Sequence, residues 1–430
     1  MALPRRTEAA FVAPDTPDQL TASRPGARSA LVLPPRPPGR LRLPNAEVFA
    51  SAERCGQVAA GPATGSLQGD KVADWSRTFP DPVTREEVEM CERVCVVKLA
   101  LVLVAVVSLM APGRASAEDQ CVVLDGKEGP GKGKHVVLIA ADDEYRSEEL
   151  IPQLAKVLAA HHGFRCTVLF AINPEDGTIT PNYQKNIPGL EALATADLLV
   201  MLARFRELPD EQMKHIVDYT NSGKPIIGLR TATHAFRYGK ESVSPYANLS
   251  WDSTTNPEGG WGRAVLGETW VSHHGHHNHE STRGVVADGV ADHPILKGVE
   301  DIWGPSDVYT IRSLTGDSQP LVMGQVLTGM SPTDPPNPDK ALLPVAWTKS
   351  YTGDTGKTCR VFTTTMGHAG DFQSEGFRRL MVNGCYWALG MEAAIPAKSE
   401  VSLVGKYEPN DIGVGGHKPG LRPSDHRLSL

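Results

Sequence analysis

Between residues 134 and 392 the chain alternates continuous apolar runs with stretches whose apolar positions recur at helical spacing. HVVLIAA (His135 to Ala141) is an unbroken apolar run of strand length, and it is followed by a helical pattern from Ser147 to His162 with Ile151, Leu154, Val157 and Leu158 on one stripe. CTVLF (Cys166 to Phe170) and DLLVMLA (Asp197 to Ala203) are two further strand runs, separated by a polar stretch rich in Asn, Pro and Gly. After Pro209 a second amphipathic helix carries Met213, Ile216, Val217 and Tyr219, and Gly223 with Pro225 ends it. PIIGLR (Pro225 to Arg230) is a fourth strand. Fully apolar strands separated by helices require crossover connections, so the pattern predicts a doubly wound α/β fold, a mostly parallel sheet with helices on both faces.

The second half reads as more strand-like. Strands are expected in DVYTIRSL from Asp307, PLVMGQV from Pro320, LPVAWTKS from Leu343 and CRVFTTTM from Cys359, closed by a helix from about Ser374 to Leu389. Beyond Ala393 the chain is polar and rich in Gly and Pro, as in a linker or a surface-wrapping arm. Residues 1–89 are different again: segments such as LVLPPRPPGRLRLP have few aromatics and no apolar period, so they cannot bury enough surface to offset their ordering entropy. Met90 stands where an initiator would, which makes this stretch an expected upstream extension or mis-called start.

Residues 90–117 bear on the compartment. Arg93 and Lys98 precede the apolar Leu99 to Ala111, and Ala115-Ser116-Ala117 follows before Glu118 and Asp119. A charged start, a short apolar core and an A-x-A site predict a cleaved secretory signal and an exported domain, periplasmic or extracellular. The alternative is an uncleaved anchor over residues 94–111, the one case in which a membrane would be a partner. The net charge of -7 and the lack of a basic stripe in the folded part argue against nucleic acid. Of seven cysteines, Cys121, Cys166, Cys359 and Cys385 lie in the domain. They are read either as two bridges of open connectivity or, for the last three, as buried thiols. No G-x-G-x-x-G or Walker sequence is present, and no nucleotide cofactor is expected.

In open parallel sheets ligands bind outside the carboxyl ends of the strands. After the first strand stand Asp142, Asp143, Glu144 and Arg146; after the third, Arg204 and Arg206; after the fourth, Arg230, Thr231, Thr233 and His234; and after Met366, Gly367, His368 and Asp371. Each has an ordinary alternative, a helix-capping carboxylate or a solvated loop charge. Arg230 is harder to dismiss, because a charge directly after an apolar strand needs a partner. VSHHGHHNHE adds a dense cluster, in which His273, His274 and His277 are candidate ligands for a divalent metal such as zinc, although a His-rich loop can equally be a solvated turn.

GLRTATHAF (228–236), the His-rich segment before DHPILKGV (292–299), SDVY (306–309), PVAWTKSY (344–351) and RVFTTTMGHAGDF with NGCYWALG (360–390) together resemble the ThuA-like, or trehalose-utilisation, family of the class I glutamine-amidotransferase-like superfamily. The resemblance implies a flavodoxin-like fold over about residues 134–392 and a carbohydrate or modified keto-sugar as ligand. His234, His368, Asp143 and Glu144 would then be candidate acids and bases, with Arg204, Arg230, Thr231, Asp307 and Tyr309 orienting the ligand. Where amidotransferases of this fold place a cysteine nucleophile, this chain reads Leu229-Arg230-Thr231-Ala232-Thr233, so glutaminase chemistry is not expected. Two other readings stay open at this stage: a non-catalytic sugar-binding module, and a metal-dependent hydrolase of a non-sugar substrate.

Overall fold

The structure is a computed structural model and describes residues 120–428; the expected upstream extension (1–89) and the expected signal segment (90–117) lie outside the described residues. Ten strands form one mixed sheet: β1 (Cys121–Asp125), β2 (His135–Ala141), β3 (Arg165–Phe170), β4 (Leu198–Ala203), β5 (Ile226–Leu229), β6 (Thr282–Val286), β7 (Trp303–Gly304), β8 (Gln319–Val326), β9 (Leu343–Thr352) and β10 (Thr358–Thr364). Their spatial order is β1-β3-β2-β4-β5-β10-β9-β8-β6-β7. The five strands from β3 to β10 in that order run parallel. β1 adds antiparallel at one side, and β9, β8, β6 and β7 continue antiparallel at the other.

β2 after His135, β4 and β5 are apolar on both faces because each face meets a core. Val136, Leu138 and Ala140 of β2 pack with α1 (Ser147–His162) and α3 (Glu375–Ala388), through Leu150, Leu154, Val157, Leu380 and Met381. The alternate residues Val137, Ile139 and Ala141 face α2 (Asp210–Thr220), through Met213, Ile216 and Tyr219. Gly163 ends α1 at φ 78, a left-handed cap that a side chain would strain. The Ser374 hydroxyl accepts from the Phe377 N–H and starts α3. Leu154 is fully buried, and its truncation to alanine would cost about 2–5 kcal/mol.

One expected strand is corrected. DVYTIRSL does not join the sheet: Tyr309 makes a single isolated antiparallel bridge with His273. His274 N–H donates to the Val308 carbonyl (2.8 Å), and Thr310 N–H to that of Ser272 (2.9 Å). The alternation of apolar residues there is real, but its backbone partner is the His-rich loop. Beyond α3 the chain runs as coil and short turns, with Ile395 and Val401 buried in the core shared by α1 and α3. Among the described residues no helix is long and apolar enough to cross a membrane.

Candidate functional site

The exits of β2, β4 and β5 converge on Asp307. Arg230, the first residue after β5, sits at φ 43, a conformation uncommon for a side chain of this size. Arg230 and Asp307 are both 0% exposed, with Arg230 Nη2 3.3 Å from Asp307 Oδ1. Arg230 Nη1 donates to the Asp307 carbonyl (2.8 Å), the Thr365 carbonyl (3.1 Å) and the Ser306 hydroxyl (3.3 Å). Its guanidinium lies 3.7 Å from the centre of the Tyr145 ring. Arg230 is therefore an anchor beneath the site, and its buried charge has the partner such a group requires.

Asp307 presents its carboxylate to two imidazoles. Oδ2 lies 2.6 Å from His273 Nδ1, and Oδ1 lies 2.9 Å from His277 Nδ1. Burial works against the ionised form, but the hydrogen bonds from His273 and His277 and the charge of Arg230 hold the carboxyl well below the usual range. A carboxylate at Nδ1 fixes the tautomer and leaves Nε2 facing outward as the basic atom. The two imidazole side chains are 34% and 29% exposed, so this outward edge is open.

Glu144 and Asp143 form the opposite side. Glu144 Oε1 is 3.5 Å from His277 Nε2, Glu144 Oε2 is 3.1 Å from Arg204 Nη2, and Arg204 Nη1 is 3.3 Å from Asp143 Oδ1. Around these groups stands an aromatic wall: the rings of His234 and Tyr309 lie 5.6 Å apart, those of His234 and Trp270 5.7 Å, and those of Trp251 and Trp270 5.5 Å. Burial first, and then the charges of Arg204, Arg230 and His273, push His234 well below its ordinary pKa, so it is a neutral imidazole. Burial raises the phenol of Tyr309, so that ring stays protonated.

The structure brings together Asp143, Glu144, Arg204, Arg230, His234, His273, His277, Asp307 and Tyr309. Arg230 and Asp307, expected to orient the ligand, are both 0% exposed and act from beneath the site, Arg230 on Asp307 and Asp307 on the two imidazoles. Three further expected site residues do other work. The His368 ring caps the turn after β10, its Nδ1 accepting from Gly370 N–H (3.2 Å) while its Nε2 lies 3.2 Å from the Asn410 carbonyl. His274 Nε2 meets the Ala341 carbonyl at 2.7 Å, leaving Asp307 in its place as the third group of the cluster that could hold a cation. Thr231 is fully buried and donates its hydroxyl to Asp142, which organises the turn after β2 by accepting from Glu144 N–H (2.6 Å) and Tyr145 N–H (3.0 Å).

The family model described as ThuA, trehalose utilisation, matches residues 137–388. The chain belongs to the ThuA family. That family lies within the class I glutamine amidotransferase-like superfamily. No curated protein matches the chain. Among solved structures it is similar to a ThuA-like protein from Parabacteroides merdae, with 16% identity over 66% of this chain and 96% of that one and a TM-score of 0.37. The mmIFT52 N-terminal domain matches with 13% identity over 59% of this chain and 97% of that one, at a TM-score of 0.33. The exo-β-1,4-mannosidase Op5Man5 from Opitutaceae bacterium strain TAV5 matches with 10% identity, over 60% of this chain and 36% of the mannosidase, at a TM-score of 0.28.

Sequence reasoning passed over Trp251, Trp270 and Tyr145, which build the wall of this ThuA site. Trp270 stands three residues before His273 and Tyr145 one after Glu144, so adjacency to the polar clusters was the available signal. Burial raises the thiols of all four domain cysteines, Cys385 up to about 12, Cys359 up to about 11, Cys166 well above its ordinary value and Cys121 above its own, which disfavours a thiolate.

Proposed function

We propose that this ThuA protein binds a carbohydrate or keto-sugar and acts on it by acid–base chemistry, with His273 and His277 as bases, Asp307 as their orienting carboxylate and no cysteine nucleophile. The observation that carries the reading is the buried Asp307, held from behind by Arg230 and engaging one imidazole with each oxygen. An acid–base site needs a proton acceptor of fixed tautomer within reach of a second ionisable group; His277 with Glu144 at 3.5 Å meets that requirement. Arg204 and the neutral His234 and Tyr309 would fix hydroxyl or carbonyl oxygens. The wall of Phe205, Trp251 and Trp270 would cover the C–H face of a sugar ring. The family description, trehalose utilisation, supports the substrate class. In the same reading the parallel order β3-β2-β4-β5-β10 forms a doubly wound, flavodoxin-like core, and the segment 90–117 exports the domain.

A second reading rests on the same three residues. Two imidazole nitrogens and a carboxylate oxygen, within 4.8 Å of one another, suit a divalent cation such as zinc. The His–Asp separations of 2.6 and 2.9 Å are hydrogen-bond lengths, however, whereas tetrahedral ligands about 2.0–2.1 Å from zinc stand roughly 3.3 Å apart. The acid–base reading is therefore preferred. A cation bound there would polarise a carbonyl or activate water.

The test combines metal analysis of the purified full chain with a screen of mono- and disaccharides and their oxidised forms, repeated on His273→Ala, His277→Ala and Trp270→Ala. The proposal expects turnover that survives chelation, is lost in both histidine variants and shows a raised KM in Trp270→Ala. Turnover abolished by EDTA and restored by zinc selects the metal reading. Sugar binding without turnover selects a binding module, and no response to any sugar refutes the substrate class.

A further inference from the structure

The chain continues beyond the family match, and its last part returns across the fold. At one end of this segment Arg378 Nε donates to the Val401 carbonyl (2.7 Å); at the other, Arg422 Nη2 reaches the Asp176 carbonyl (2.7 Å) and His426 stacks on Phe170 with ring centres 5.2 Å apart. Between these anchors residues 407–417 lie over the turn that joins β2 to α1. The Tyr407 hydroxyl donates to the Ala369 carbonyl (2.8 Å). Asn410 N–H donates to Glu149 Oε2 (2.8 Å), and its side-chain amide donates to Oε1 of the same carboxylate. Gly413 N–H donates to the Glu144 carbonyl (2.9 Å). Gly416 backs onto the Arg146 guanidinium so closely that an added Cβ would stand 3.3 Å from Nη1.

The turn under this segment carries Asp143 and Glu144 and ends at Arg146, a non-glycine residue at φ 58. Such a conformation persists only where the surroundings over-determine it. From inside the fold, Asp142 and Ser147 tie the turn together. From outside, the Gly413 N–H holds the carbonyl of Glu144, the residue whose side chain meets Arg204 and His277, and Asn410 holds Glu149 in the first turn of α1 just beyond it. His417 adds a buried Nδ1 without a hydrogen-bond partner among the described residues, in the field of Arg146 and Asp143. Glu144 is thus held through its side chain by the site and through its carbonyl by a segment outside the matched region.

We propose that Asn410 and Gly413 are positioning residues of the candidate site, and that the segment 407–417 keeps the Glu144 carboxylate against His277. This rests on the acid–base reading, in which that contact matters. Gly413→Pro removes the N–H donor. Gly413→Ala keeps it, since an added Cβ meets nothing within 4 Å and the residue is not in the left-handed region.

The experiment uses the full chain with ¹⁵N-labelled histidine rings, in EDTA at one fixed pH. It follows the Nε2 resonance of His277, assigned through His277→Ala, with Glu144→Gln as the reference for a lost carboxylate. The expected result is that Gly413→Pro moves the signal in the direction of Glu144→Gln and by the larger part of that displacement, while Gly413→Ala leaves it in place. Asn410→Ala should give a smaller movement the same way, and it stands in for Gly413→Pro if that variant does not fold. A signal that moves in Glu144→Gln and stays in place in the segment variants overturns the positioning role alone. A signal that does not move in Glu144→Gln overturns the Glu144–His277 contact itself, and both readings fall with it.

Discussion

Replacing Asp307 with asparagine tests the centre of the site, because it keeps the shape of the side chain and removes the charge on which three neighbours depend. Breaking a buried ion pair by removing one partner costs about 3–5 kcal/mol. Here the cost is lower, because Arg230 keeps the carbonyls of residue 307 and Thr365 and the Ser306 hydroxyl, and the amide oxygen can still accept one bond. A destabilisation of about 2–3 kcal/mol is expected, or roughly 4–10 °C in Tm for a domain of this size. The amide NH₂ must also face one of the two imidazoles, which forces that ring to present Nδ1 as acceptor and to protonate Nε2. A wrong tautomer of this kind lowers turnover by up to about 10⁴-fold in a hydrolase triad.

Thermal denaturation at several pH values and ¹⁵N shifts of the two rings read these effects separately. The folded pKa of Asp307 is depressed, so its contribution to stability is fully present above the unfolded value near ~3.9 and is lost as pH falls from there toward the folded pKa. The Tm gap between wild type and Asp307→Asn should therefore be constant from neutral pH down to about 4 and narrow below it. A gap under about 1 °C at neutral pH, with both tautomers unchanged, would refute the account of Asp307 as the anchored hub.

Glu148, 2% exposed beside Arg146, has its carboxyl pushed up to about 8 by burial. Between the unfolded value near ~4.3 and that folded value the native state keeps a proton that the unfolded chain releases, so stability falls as pH rises, by up to about 1.4 kcal/mol per pH unit. Glu148→Gln removes that slope and should gain on wild type in Tm from pH 5 to pH 8; the opposite trend in a melting series would contradict it. Cys166→Ala and Cys385→Ala should each cost about 1 kcal/mol of stability by denaturant titration while leaving sugar binding or turnover within a few-fold. Loss of activity with an intact fold in either variant would restore thiol chemistry.

The central strands and helices were legible because their local signals agree with their tertiary roles. HVVLIAA is apolar at every position after His135 and is buried there on both faces, and the stripe through Leu154 and Leu158 meets its core where the spacing places it. The segment after Asp307 was not legible. Its alternation matches a strand, but its position is set by Asp307 reaching Arg230, 77 residues earlier in the chain, and local periodicity carries no trace of that bond. The strand-exit rule collected Asp143, Glu144, Arg204 and Arg230. It could not separate groups that face the cleft from groups that tie the turns, and Thr231 and His368 belong to the second kind. Nor could spacing say which histidines of the loop turn inward. His273 and His277 do, while His276 and His279 stack on each other at the surface, ring centres 4.4 Å apart.

Arg230 links the backbone to the chemistry. A left-handed conformation at a long side chain costs about 1–3 kcal/mol and is found where the surroundings impose it. At the end of β5 it turns the guanidinium inward, beneath Tyr145 and Tyr309, where it meets Asp307, Ser306 and the carbonyl of Thr365 just after β10. From that position the arginine lies 0% exposed, out of reach of a ligand, and fixes the charge of Asp307. Asp307 in turn fixes the tautomers of His273 and His277. The groups left facing the opening are then two imidazole Nε2 atoms, a carboxylate paired with Arg204 and a neutral aromatic wall. A set without a thiol can still move protons and orient oxygens, which is why the site is read as acid–base rather than as cysteine chemistry.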